Sequence, residues 1–260
     1  MLTHAPYRIS AEKIHLVVMN ATEGLPSAFA LLGTRAAKKV AIRLLGGCKG
    51  MGPADKEEML DFFSFAFNGF RGLIWSGGTR QVTENGEIDP MVTDMPGVIA
   101  QANPGCIALG TIPRVDMLSL QGDSRLVLDQ YGNVPNPDMM GLLIVQNGAD
   151  GQGDWDTDVP VYVNMMKQWK AYAGFTALGT VAWNGGAITE KEIFLSAQQG
   201  WMTVLIEGSG RVADEIAEKY QAGDSELLAK LPRDHRMVVV SKNDPEELTD
   251  VLQTHGFFPA

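Results

Sequence analysis

Eight short apolar stretches recur along the chain, at residues 14–19, 39–45, 73–76, 106–109, 141–146, 177–183, 202–207 and 236–241. Most lack the alternation of a half-exposed strand, and a near-continuous apolar run is what a strand covered on both faces requires. Between them lie longer segments in which apolar positions return every three to four residues, the period of a helix packed on a sheet.

Three of these segments carry their own start and stop signals. Asp244, Pro245 and Glu247 supply a cap, a first-turn proline and a first-turn acid ahead of the stripe Leu248, Val251, Leu252. After Arg211 the stripe is Val212, Ala213, Ile216, Ala217 and Tyr220, with Gly223 as a stop. Asp55 is expected to cap a helix whose apolar side bears Met59, Phe62, Phe63, Ala66, Phe67 and Phe70, aromatics that belong to a core. Residues 79–94 and 114–140 read as irregular lids or insertions. Strands crossing over through helices predict an α/β, Rossmann-like fold, a mostly parallel sheet with helices on both faces, in one domain over residues 1–260.

Charge narrows the partners. A net charge of −10 argues against nucleic acid or an anionic membrane surface, both of which attract clustered Lys and Arg. A small anion would have to be held locally, by helix-start N–H groups and one or two arginines. The two cysteines, Cys48 and Cys106, have neither metal nor redox spacing. No apolar run approaches the roughly 20 residues of a membrane span, and MLTHAPYRIS lacks signal-peptide character, so a cytoplasmic setting is expected.

Five apolar runs end directly in glycine: Gly46-Gly47, Gly77-Gly78 with Thr79 and Arg80, Gly148 with Gly151, Gly185-Gly186, and Glu207-Gly208-Ser209-Gly210 before Arg211. In a parallel sheet all five corners fall on the carboxyl edge, where open α/β sheets bind ligands. Glycine there admits a phosphate or ribose to the backbone, and the following helix start offers unpaired N–H donors. Arginine is the fork-shaped partner of phosphate, so Arg211 and Arg80 are the candidate anion ligands and Arg114 a weaker third. A surface ion pair of Arg211 with Asp214 or Glu215 is the competing reading.

Thr189 and Glu192 have capping-box spacing before Ile193, which reads as helix-end stabilisation. The alternative for Glu192 is catalytic: a carboxylate facing a bound ribose can stabilise an oxocarbenium-like centre or activate water. The acidic loop with Asp150, Asp154, Asp156 and Asp158 is no EF-hand, since Val159 and Met165 occupy the positions that need Gly and Glu. It reads as a solvated loop with Asp158 capping the next helix. No metal site or resident cofactor is expected, beyond room for a divalent ion accompanying a nucleotide.

The segment EGSGRVAD at 207–214 resembles the N-terminal homology region of melastatin-type TRP channels, and the order of the other corners resembles that region across about 39–220. That region belongs to the SLOG superfamily, which also contains the lonely-guy phosphoribohydrolases. The resemblance implies a module that binds or senses a nucleotide, with ADP-ribose and other NAD-derived or cyclic nucleotides as leading ligands. Output would pass through an effector protein or homo-oligomer. The lonely-guy motif P-G-G-x-G-T-x-x-E falls on residues 184–192. Gly185, Gly186, Thr189 and Glu192 match, whereas Asn184 replaces its proline and Ile188 its third glycine. The retained Glu192 implies the alternative, an N-glycosidase acting on a nucleotide or NAD-like substrate.

Overall fold

The computed structural model describes residues 15–20, 35–83, 85–113, 118–119, 126–127, 133–146 and 159–258. The strands in chain order are β1 (His15–Asn20), β2 (Val40–Gly47), β3 (Leu73–Gly77), β4 (Thr79–Val82), β5 (Ile88–Asp89), β6 (Ile107–Pro113) and β7 (Leu118–Ser119). They continue as β8 (Leu126–Val127), β9 (Asn133–Pro135), β10 (Gly141–Gln146), β11 (Ala177–Asn184), β12 (Met202–Glu207) and β13 (Arg236–Ser241). The helices are α1 (Pro53–Ala66), α2 (Met95–Ala102), α3 (Val159–Tyr172), α4 (Ala187–Gln198), α5 (Arg211–Gln221), α6 (Ser225–Lys230) and α7 (Pro245–Thr254), with a 3₁₀ turn at Val92–Asp94.

All eight apolar stretches became strands of one sheet, ordered β1-β10-β6-β3-β2-β11-β12-β13, and every neighbouring pair is parallel. From β2 the chain winds outward through β3, β6 and β10, then returns to lay β11 on the other flank of β2. Winding reverses between β2 and β11, so a crevice opens at their carboxyl ends.

Alternate residues of each strand feed opposite faces. Ile42, Leu44, Ile74, Val181, Val204 and Ile206 meet α1, α2 and α7 through Phe63, Ile99 and Leu248. On the other face Leu73, Trp75, Leu109 and Val145 pack under Tyr162, Met166 and Trp169 of α3. Leu45, Ala182 and Leu205 pack under Ile193 of α4, Ile216 of α5 and Leu227.

The local signals mostly held. Asp244 accepts the Glu247 N–H at 2.9 Å and caps α7 as expected. Asp55 is not the cap of α1: Gly52 holds that position, and Asp55 reaches back from the third helical residue to accept the Gly52 N–H at 2.7 Å. Residues 79–94 are also more regular than expected, since β4 pairs antiparallel with both β5 and β9 to form a small second sheet. Strands of two to four residues are too short to show a period in sequence.

Gly46, where β2 reaches the crevice, has φ +150°, and a Cβ there would stand 2.1 Å from the backbone oxygen of Trp183 on β11. At Gly47 the same atom would meet nothing within 4 Å. Gly46→Ala is expected to destabilise the fold by about 3 kcal/mol and Gly47→Ala by about 1 kcal/mol or less. Urea midpoints that were equal for the two variants would contradict this packing.

Candidate functional site

β2 carries one charge in an otherwise apolar run, Arg43, and places it in the sheet centre at 4% exposure. A buried guanidinium must be paired and hydrogen-bonded. Its Nε and Nη2 donate to Glu192 Oε1 of α4 at 3.0 and 2.6 Å, and its Cζ lies 4.6 Å from the Trp75 ring centre and 4.4 Å from that of Tyr162. The Tyr162 hydroxyl donates to the Glu192 backbone oxygen at 3.1 Å. Glu192 and Thr189 therefore do not form the expected capping box. Gly186 is the N-cap of α4, and both residues lie inside the helix, buried against the sheet.

This pair lies on the wall of a cavity of about 450 Å³. The cavity opens on the carboxyl edge between Gly46 and Gly47 of β2, Gly77 of β3, Thr111 of β6 and the start of α4 at Gly186–Thr189. Ser76, Thr79 and Thr93 complete its polar side. The N-terminus of α4 points unpaired N–H groups and positive potential at this space.

A second helix start adjoins it. After β12, Ser209 accepts the Asn184 N–H at 2.8 Å on its hydroxyl oxygen and donates to the Ile206 backbone oxygen at 2.5 Å, which ties this turn to the end of β11. Asp214 accepts the Gly208 N–H at 2.7 Å. Gly210 turns with φ +104° into Arg211 at +49°, and Asn184 stands at +57°. Among the described residues these two are the only non-glycine positions with positive φ. The turn swings the Arg211 side chain across to α4, so a Cβ on Gly186 would stand 2.8 Å from Arg211 Nη2. The surface-pair reading of Arg211 is not what forms: Asp214 is occupied by the turn, and the guanidinium has no ion pair among the described residues.

Arg80 occupies a different place. It is clasped between Asp94, at 2.8 Å, and Asp138, with the Asn136 amide donating to Asp94 at 3.2 Å. Burial raises the Asp94 carboxyl against the pull of Arg80, and the two carboxylates hold Arg80 protonated against its own burial. The clasp fixes β4 and the 3₁₀ turn, and so the hydroxyls of Thr79 and Thr93.

The sequence-derived candidates thus divide. Gly46, Gly47, Gly77, Thr79, Gly186, Thr189 and Glu192 line the cavity. Gly78 instead packs on Gly110 and Leu142, Gly185 lies against Thr189, and Ser209 spends its hydroxyl on the turn. Glu207 and Gly208 are exposed beyond the corner. Gly148, Arg114 and the acidic loop at 150–158 lie outside the described residues. Arg43, Ser76, Thr93 and Thr111 were missed. Only Arg43 carried a signal, as a lone charge in a buried strand.

Among the described residues no group of His, Cys, Asp or Glu could hold a metal ion, and no helix is long and apolar enough to cross a membrane. Burial pushes the Cys48 thiol up to about 11 and Cys106 to about 12.

Residues 134–249 match the family model described as SLOG in TRPM, prokaryote. That span contains Asn184, both helix starts and Arg211, and begins downstream of Arg43 and the Gly46 corner. The X-ray structure of TM1055, a structural-genomics target, is 17% identical with a TM-score of 0.47, covering 84% of this chain and 99% of that one. The molybdenum cofactor carrier protein of Chlamydomonas reinhardtii is 14% identical with a TM-score of 0.45, covering 83% and 98%. No curated protein matches the chain.

Two outcomes are expected from this geometry. Glu192→Ala leaves a buried guanidinium without its carboxylate and should cost roughly 3–5 kcal/mol, whereas the double change Arg43→Leu with Glu192→Leu should cost less than either single change. Denaturation curves in which the double variant is the least stable would refute the pair's role. Native protein at pH 8 should alkylate slowly at Cys48 and more slowly at Cys106, with both reacting once unfolded. Fast native labelling would show the thiols to be unperturbed.

Proposed function

We propose, for a chain whose residues 134–249 belong to the prokaryotic SLOG-in-TRPM family, that the crevice between β2 and β11 binds a nucleotide through its phosphate. The observation that carries this reading is the meeting of two anion-binding devices: the N-terminus of α4, and the Arg211 guanidinium laid against its first glycine. The net charge of −10 repels anions at long range, so the preference must be built locally.

The cavity of about 450 Å³ is of the size used for small ligands and cofactors. ADP-ribose and other NAD-derived or cyclic nucleotides are the leading class. Binding without turnover would make the chain a sensor, its output passing to an effector protein or through assembly.

A second reading rests on Glu192, whose buried carboxylate is part of the cavity wall. Its Oε1 accepts both hydrogen bonds from Arg43, so the carboxylate is held in place at the cavity wall. It could stabilise positive charge developing on a sugar ring, which is the electrostatic half of glycosidic cleavage.

A thermal-shift panel of ADP-ribose, NAD, AMP and cyclic dinucleotides, followed by analysis for freed base, separates these readings. A ligand at about 100 times its dissociation constant should add about 2.7 kcal/mol of stability. A shift with intact ligand supports the sensor, base release supports the glycosidase, and no shift with any member sinks both. Arg211→Ala should weaken the stabilising ligand by about 1.5–3 kcal/mol, the scale of a charged hydrogen bond. Unchanged affinity would remove Arg211 from the site.

A further inference from the structure

We propose that Asn184 is a specificity residue that accepts a hydrogen bond from a sugar hydroxyl beside the bound phosphate, so that this site prefers ribonucleotides to their deoxy forms. The proposal rests on the phosphate-binding reading above and adds what the neighbouring group of the ligand must be.

Asn184 is 2% exposed, and its Oδ1 is buried with no hydrogen-bond partner among the described residues. An amide oxygen left in that state is costly, so each one in a native structure calls for a group that completes it. Its position says what that is. In the sheet Asn184 pairs with Gly47, beside which the cavity is open. Two residues later the chain starts α4 at Gly186, and the Asn184 side-chain atoms lie 3.7–3.9 Å from where a Cβ of Gly210, the N-cap of α5, would be. The amide therefore stands between the two helix starts and next to the corner that carries Arg211.

Its aim is fixed by the backbone. The left-handed φ of +57° is held by Ser209, which takes the Asn184 N–H, so the residue is not free to swing away. Both helix starts and Arg211 present donors, and Oδ1 is the acceptor among them. A phosphate oxygen satisfies the donors and is refused by Oδ1, which needs an O–H or N–H within a few bonds of the phosphate. In a nucleotide that group is a ribose hydroxyl.

The cavity that opens beside Gly47, the sheet partner of Asn184, agrees. Ser76, Thr79, Thr93 and Thr111 are among its lining residues, the Ser76 hydroxyl donating to the Leu44 backbone oxygen, and among the described residues no aromatic ring lines it. Thr93 Oγ1, on a lining residue, is one of the other buried side-chain atoms without a hydrogen-bond partner among the described residues. Such a wall suits a sugar better than a stacked base.

The probes are AMP and ADP-ribose with their 2′-deoxy and 3′-deoxy forms, titrated calorimetrically into wild type and Asn184→Gly. Glycine keeps the left-handed backbone while deleting the amide, and Asn184→Asp keeps the shape while setting a negative charge beside the phosphate. Wild type should bind one deoxy form about ten-fold more weakly than its ribonucleotide. Asn184→Gly should lose a similar factor for the ribonucleotide and no longer distinguish the two, and Asn184→Asp should weaken both. Equal binding of ribo and deoxy forms by wild type overturns the proposal without any variant and leaves the phosphate site standing, as does discrimination that survives in Asn184→Gly. Failure of both AMP and ADP-ribose to bind wild type overturns the nucleotide reading and this proposal with it.

Discussion

A guanidinium in the middle of a parallel sheet is the constraint from which the site follows. Arg43 stands there with Glu192 arriving from α4 to meet it and the rings of Trp75 and Tyr162 against its guanidinium. The pair fixes the height and rotation of α4 over β2 more tightly than apolar contacts, which slide. A helix pinned in that way points its first N–H groups in one direction. The apolar core on that face falls into two clusters, one with Trp75 and Trp169 and the other with Leu45 and Ile193.

Where the carboxyl ends of β11 and β12 lie side by side the logic is different, with strain added to burial. Two L-residues, Asn184 at the end of β11 and Arg211 at the start of α5, hold left-handed backbones in neighbouring turns, and Ser209 is bonded to both strand ends. Such conformations persist where the surroundings over-determine them, and they concentrate where side chains must be aimed. Here the aim brings a cation across one helix start and an amide between two.

Much of this was legible from the chain. Continuous apolar runs marked all eight main strands, and in central ones such as β2 and β11 burial on both faces leaves no alternation to read. Glycines marked the carboxyl edge, and EGSGRVAD marked Arg211. What stayed hidden was long-range. Thr189 and Glu192 carry a capping-box spacing, and no local pattern reveals that an arginine 149 residues away claims the carboxylate. Arg80 looked equivalent to Arg211 because each follows a glycine corner. Asp94 and Asp138, which occupy it, come from a turn and a loop whose approach depends on the small antiparallel sheet.

The separation of 149 residues between Arg43 and Glu192 also bears on how the molecule is made. At a synthesis rate of roughly 5–20 residues per second, β2 leaves the ribosome about 7–30 s before the helix that neutralises it. During that interval the strand is an apolar segment of high β-propensity with no neighbour on its β11 flank. The unpaired charge then acts as a gatekeeper against self-association of the nascent chain. The arginine that later stands in the cavity wall is, until then, its own strand's protection.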